Sequence, residues 1–294
     1  MRDAFNDGSA AAPRLRFDMN SASLAALPDT STAPKGAWAD VYAGVREAGY
    51  EGVQHGSPIR AAVAAGLRIT GMGRVVEPAE ADLLVAQHRA WRMDATTLHV
   101  GTGFESDAEM DALAGAVLEA AERHDQPVFV ETHRATMLQD MRRTLDLVER
   151  FPELRFNADL GHWYTGAEMT YGDLEAKFNR LGPVFERVRF FHGRIGDSCN
   201  AQVATGAPGA EPEYVTHFRE MWTRCFRGFL AAAGPGDVVV FAPELLAHHL
   251  THEGRTYTFN YARLMPDGSE ETDRWAEALR LCAIAQECFE AASE

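Results

Sequence analysis

The sequence predicts a single (β/α)8 barrel of the α/β class, preceded by a short disordered N-terminal arm. Three observations carry that reading. Short apolar runs alternate with amphipathic stretches eight times in order, the signature of successive βαβ units. The runs are apolar through their length rather than alternating, which suits strands buried on both faces of a parallel sheet. A doubly wound sheet would want a Gly-rich turn after its first strand, and Asn20-Ser21-Ala22-Ser23 stands there instead. The 294 residues are 46% hydrophobic and 24% charged, enough apolar material for one barrel and too much for a disordered chain. With no linker inside it, the chain divides into a flexible arm, residues 1–13, and a barrel, residues 14–294.

Residues up to Pro13 are small and polar, hence the arm. Leu15–Asn20 reads as the first strand, and Trp38–Ala48 follows with helical spacing until Gly49. Tyr50–His55 is the second strand and Pro58–Ala65 a brief helix ended by Gly66. Leu67–Thr70 is the third strand, closed by Gly71-Met72-Gly73, and Pro78 opens a helix running to about Met93. Thr96–Val100 is the fourth strand. The helix over Asp107–His124 shows Met110, Leu113, Val117, Leu118 and Ala121 on one face. Pro127–Glu131 is the fifth strand; Met137, Met141, Leu145 and Val148 mark a helix ending near Pro152. Leu154–Leu160 is the sixth strand, followed by a helix through Leu174, Phe178, Leu181 and Phe185 that Gly182-Pro183 interrupts. Val188–His192 is the seventh strand. After a Gly, Ala and Pro-rich loop from Gly196 to Pro212 comes the longest apolar stripe, Tyr214 to Phe229. Asp237–Glu244 is the eighth strand; a polar loop rich in His and Tyr precedes a last helix, Arg274–Phe289.

Composition excludes several classes of function. The net charge of −15 argues against a nucleic-acid surface, which needs a basic patch. No run of about 18 apolar residues is present to span a membrane. The segment Met1 to Gly8 carries two acids and no apolar stretch, unlike a secretory signal. Cys199, Cys225, Cys282 and Cys288 lack CxxC spacing and read as reduced thiols of a cytoplasmic protein.

In such a barrel the C-terminal ends of the strands face the active site. Those ends carry Asn20, His55, Gly71-Met72, His99, Glu131, Asp159, His192 and Glu244. Three carboxylates and an imidazole ending four consecutive strands would repel one another on one rim, and a divalent cation resolves that repulsion. Oxygen donors with one nitrogen fit Mn²⁺, Mg²⁺, Co²⁺ or Zn²⁺.

Here the stretch from about Val128 to Glu244 resembles the xylose isomerase-like barrel superfamily, the sugar phosphate isomerase/epimerase group that includes the ketose 3-epimerases. The matching features are Glu131 after strand five, Asp159-x-x-His162 after strand six, His192 after strand seven and Glu244 after strand eight. The resemblance implies that Glu131, Asp159, His192 and Glu244 hold one divalent ion. It implies an enediolate intermediate on a small carbohydrate, with Glu131 and Glu244 moving protons on opposite faces. It also implies that His162 touches substrate oxygens and that Arg194 holds an anionic or hydroxyl-rich group.

Beyond those, His99 and Trp163 are read as substrate-facing; the alternatives are a satisfied rim histidine and packing under the loop. His55 is a weaker candidate. His133 and Arg134 are read as turning outward, and His248, His249 and His252 as exposed histidines of a polar loop. Two other chemistries use related sites. A lyase performing β-elimination on a 3-keto-glycoside needs the same ion and bases. An endonuclease IV-type repair enzyme needs a three-zinc cluster, but Gly71-Met72-Gly73 stands where a strand-three histidine is wanted. A homo-oligomer is left open, on the ground that the long helix bearing Trp222 exceeds what one barrel covers.

Overall fold

The eight runs read as strands close into a ring. This computed structural model of the chain describes residues 3–252 and 254–294, with Leu250 and His252 described by their backbone alone. The strands are β1 (Phe5–Asn6), β2 (Arg14–Asn20), β3 (Gly52–Gln54), β4 (Arg68–Val75), β5 (Thr96–Val100), β6 (Val128–Glu131), β7 (Phe156–Ala158), β8 (Val188–Gly193), β9 (Asp237–Pro243), β10 (His249–His252) and β11 (Arg255–Thr258). The helices are α1 (Trp38–Glu47), α2 (Ile59–Ala64), α3 (Pro78–Ala90), α4 (Asp107–Arg123), α5 (Met141–Arg150), α6 (Gly161–Gly166), α7 (Leu174–Arg180), α8 (Gly182–Phe185), α9 (Glu213–Ala232) and α10 (Arg274–Ser293). Strands β2 to β9 pair in parallel in chain order, and β9 pairs with both β8 and β2, which closes the barrel.

Local chemistry accounts for much of this. Ser106 caps α4 and Glu109 reaches back to the Ser106 amide, a reciprocal box that starts the helix where the sequence places it. The interruption at Gly182-Pro183 is real, and it separates α7 from α8. Strand β4 runs past the expected stop at Gly71-Met72-Gly73 to Val75. The glycines are not a turn: a Cβ on Gly71 would lie 2.4 Å from His88 Nδ1, and one on Gly73 would lie 2.3 Å from Leu84. They let α3 pack close against the strand.

The expected disordered arm is instead ordered over its described residues. Phe5–Asn6 pairs antiparallel with β9 at Val238 and Asp237. Asn6 Nδ2 donates to Asp237 Oδ1 at 2.7 Å, and Asp3 lies 2.8 Å from Arg189 Nη2 while also pairing with Arg155. The arm reads as loose because its anchors lie more than a hundred residues away along the chain.

Side-chain alternation sorts each strand into an inside and an outside. Phe191 and Phe241 point outward, against Phe226 and Trp222 of α9. Their neighbours Phe190, Val240 and Ala242 therefore point inward, where they meet Phe5, Ala95, Phe129 and Val238 in a separate apolar cluster. Beside this cluster, on β2, the interior turns polar. Arg16 Nη2 lies 2.8 Å from Asp18 Oδ2, and Arg16 Nη1 lies 2.6 Å from Asp94 Oδ2, with the Arg16 and Asp18 side chains fully buried. The apolar stripe of α9, Trp222 included, is buried within the chain, much of it against α10. Packing within one chain thus accounts for the whole stripe.

Candidate metal centre

The same alternation carries functional side chains to the mouth of the barrel. Inward positions on β6 place Phe129 low and Glu131 at the rim, and on β8 Phe190 low and His192 at the rim. Asp159, Arg194 and Glu244 sit just past β7, β8 and β9. Glu131, Asp159, His192 and Glu244 come together as expected, each offering a ligand atom within 4.8 Å of the others. All four are buried.

A hydrogen-bonded shell fixes them. Gln54 Nε2 donates to Thr97 Oγ1 at 2.9 Å, which turns Gln54 Oε1 toward the site. Asn20 Nδ2 donates to that oxygen at 2.9 Å and to Glu244 Oε1 at 3.1 Å. His192 Nε2 lies 2.7 Å from Gln54 Oε1, so the proton sits on Nε2. The Nδ1 lone pair of the neutral ring then faces two carboxylate oxygens, Glu131 Oε2 at 3.1 Å and Glu244 Oε2 at 3.6 Å. That arrangement is tolerable only if Nδ1 is also protonated or a cation lies among these atoms. Nδ1 of His192 and Oδ1 of Asp159 are buried and lack a hydrogen-bond partner, so the donor set fits a divalent ion.

The titration of these groups follows the same conflict. Among protein groups alone, burial would lower the His192 imidazole, but Glu131 and Glu244 push it up to about 9. Burial would raise Glu131, and the facing His192 and His99 hold it well below the usual carboxylate range. Asp159 is likewise held low against its burial by Arg194 and His162.

Arg194 is turned into the quartet. Its Nη2 pairs with Asp159, lies 3.3 Å from Glu244 Oε2 and lies 3.0 Å from His162 Nε2. Its Nε and Nη1 are buried without partners and remain free to donate. His162 also accepts from Arg134 Nε at Nδ1, 3.1 Å away. A neutral imidazole has one lone pair, so only one guanidinium can be satisfied there at a time. His99 stands at the rim with Nε2 3.0 Å from Glu131 Oε1. Burial would lower its pKa, but the Glu131 charge more than compensates and raises it. Trp163 is buried, its indole N–H donating to Leu138 O at 2.7 Å; it borders a cavity of about 420 Å³ behind His162.

Several residues of the site were not anticipated. His133 does not turn outward: its ring lies 4.3 Å from that of His99 and 3.7 Å from that of His162, centroid to centroid. Burial pushes its pKa down to about 3. Arg134 and Arg194 lie over the Tyr261 ring at 5.2 and 5.0 Å. Gln54, unremarked in the sequence, was reachable from the period of β3. His55 is exposed beside the rim. His249 is exposed and bonded to Thr258, and the side chain of His252 lies outside the described residues.

Comparison with known proteins agrees with this architecture. No protein-family profile matches the chain, and no curated protein matches its sequence. Among solved structures, the 3-keto-D-glucoside 4-epimerase YcjR from E. coli superposes over 94% of this chain and 100% of its own, with a TM-score of 0.53 at 12% identity. The chain shares its barrel fold. A sugar phosphate isomerase/epimerase from Parabacteroides distasonis covers 92% of this chain and 96% of its own, with a TM-score of 0.52 at 12% identity. At such identity the likeness is one of fold. Among the described residues no helix is long and apolar enough to cross a membrane.

Proposed function

We propose that this chain is a divalent-metal-dependent isomerase or epimerase of a small carbohydrate, moving a proton at a carbon next to a carbonyl. The observation that carries the reading is the buried quartet of three carboxylates and one imidazole, converging from four consecutive strands. Glu131, Asp159, His192 and Glu244 would hold the ion. When bound, a divalent cation supplies Lewis-acid stabilisation of the negative charge that develops on substrate oxygen. Glu131 and Glu244 end strands three places apart in a ring of eight, so they approach a bound sugar from different sides. One takes a proton from carbon and the other returns one. The free Nε and Nη1 of Arg194 donate to substrate oxygens, and His162, which can satisfy only one of the two guanidinium groups beside it, offers its other ring nitrogen to a substrate hydroxyl. Mn²⁺, Mg²⁺, Co²⁺ and Zn²⁺ all suit the donor set. The acidic chain, with its four free thiols, is assigned to the cytoplasm and to small-molecule rather than nucleic-acid substrates.

The test is a screen of ketoses and keto-glycosides in D₂O, with metal stripped and then restored. The expected result is activity lost on chelation, regained with Mn²⁺ or Co²⁺, and deuterium at one carbon of a rearranged sugar. Release of an aglycone would identify a lyase, and full turnover without any ion would end the reading. Gln54 supplies a second check. Gln54→Leu frees the His192 tautomer, and loss of such an outer partner weakens metal binding by about 10–100-fold. Titration of Mn²⁺ by EPR measures this; an unchanged affinity would show that Gln54 does not orient the ligand.

A further inference from the structure

Arg134 and Arg194 meet one imidazole at its two nitrogens. Arg134 Nε donates to His162 Nδ1 at 3.1 Å, and Arg194 Nη2 lies 3.0 Å from His162 Nε2. In either neutral tautomer one ring nitrogen carries a proton, so one guanidinium always faces an N–H instead of a lone pair. Both guanidinium groups also lie over the face of a single ring, Tyr261.

Each keeps donors to spare. The Arg194 side chain is fully buried, and its Nε and Nη1 have no partner. Arg134 is half-buried, and its stem passes over Gly166, where a Cβ would lie 3.3 Å from Arg134 Cδ. It borders the cavity behind His162, so an entering group can reach it. Among the described residues Arg134 pairs with no carboxylate. Buried guanidinium donors left unmet are costly and call for an acceptor.

Charge says which acceptor. With an ion in the quartet, its charge and that of Arg194 together balance Glu131, Asp159 and Glu244. Arg134 then adds a positive charge that no carboxylate of the site answers. A neutral sugar would leave that charge uncompensated. A carboxylate cancels it, and its planar pair of oxygens matches the fork of a guanidinium. A phosphate monoester brings about two negative charges, more than the excess.

We propose that Arg134 and Arg194 together clamp a carboxylate, and that the carbohydrate taken by this site is a sugar acid. The charge balance rests on the quartet holding an ion, as proposed above.

Calorimetric titration of the full chain loaded with Mn²⁺ provides the test. The probes are D-glucuronate and D-galacturonate, their neutral parents D-glucose and D-galactose, and the 6-phosphates of those two hexoses. Within each series the molecules differ only at one end. At least one acid is expected to bind about 10–100-fold more tightly than its neutral parent, the effect of charged hydrogen bonds to one group. Long-range attraction cannot produce that preference, because the net charge of −15 repels anions. Arg134→Gln should erase it. Arg134→Lys, which keeps the charge but not the fork, should retain part of it. Both variants should hold Mn²⁺ as the wild type does; loss of the ion would make Arg134 a support of the quartet and overturn the clamp. Acids that bind no better than their parents, a 6-phosphate that binds better than its acid, or a preference that survives Arg134→Gln would each overturn the clamp while the metal reading stands. A wild-type chain that takes up no Mn²⁺ overturns the quartet reading, and the charge balance with it.

Discussion

Glu244→Gln is expected to lower kcat by about 10³-fold at saturating Mn²⁺ while leaving the fold intact, a loss of roughly 4 kcal/mol of transition-state stabilisation. The amide keeps the shape of the carboxylate, and its remaining oxygen can still accept from Asn20 Nδ2, which holds Glu244 Oε1 at 3.1 Å. What it loses is basicity, and a negative oxygen 3.3 Å from Arg194 Nη2. The variant also weakens the ion, so kcat must be read at several metal concentrations. A deficit that vanishes at high Mn²⁺ would make Glu244 a ligand only, and the proton-transfer role would fall. Glu131→Gln provides the comparison. If the two carboxylates serve opposite faces, each variant should block solvent-deuterium entry from its own side, while a shared structural role would slow both equally.

Glu131, Asp159, His192 and Glu244 could be read in sequence because a strand imposes a period of two and ends where its apolar run stops. Each is the polar residue that ends such a run. His133, Arg134 and Tyr261 follow no such rule. After Glu131 the chain leaves the strand, and Ala135 turns with φ at +54°, so the direction of His133 depends on the path of a loop. Tyr261 lies beyond the β10–β11 hairpin and reaches Arg194 and Arg134 only through tertiary folding. Gly71 and Gly73 read as a turn for a related reason: a glycine marks close approach as readily as a turn, and sequence does not show the helix on the other side. Residues 1–13 look loose because stability there comes from pairings with Asp237, Arg189 and Arg155, which composition cannot register.

The arm supplies the largest stability prediction. Phe5→Ala is expected to cost about 3 kcal/mol, the lower end of the range for removing a buried phenylalanine. The residue is 6% exposed and joins the apolar cluster inside the barrel with Phe129, Phe190, Val238 and Val240. Arg16 and Arg68 lie over the ring at 4.9 and 5.3 Å, so it also shields the polar half of the interior. The lower end applies because the arm is a short terminal segment that can shift, so the site can partly collapse or admit water. A chain of this size loses roughly 2 °C of melting temperature per kcal/mol, so the midpoint should fall by about 6 °C in calorimetry. Deleting residues 1–8 should cost more, because Arg189, with only 2% of its side chain exposed, would lose its partner Asp3. Phe5 lies at the end of the barrel opposite Glu131, so Mn²⁺ affinity should be unchanged in Phe5→Ala. A truncated chain that melts at the wild-type temperature would show that the ring is closed without its plug. Lost metal binding would show instead that the two ends of the barrel are mechanically coupled.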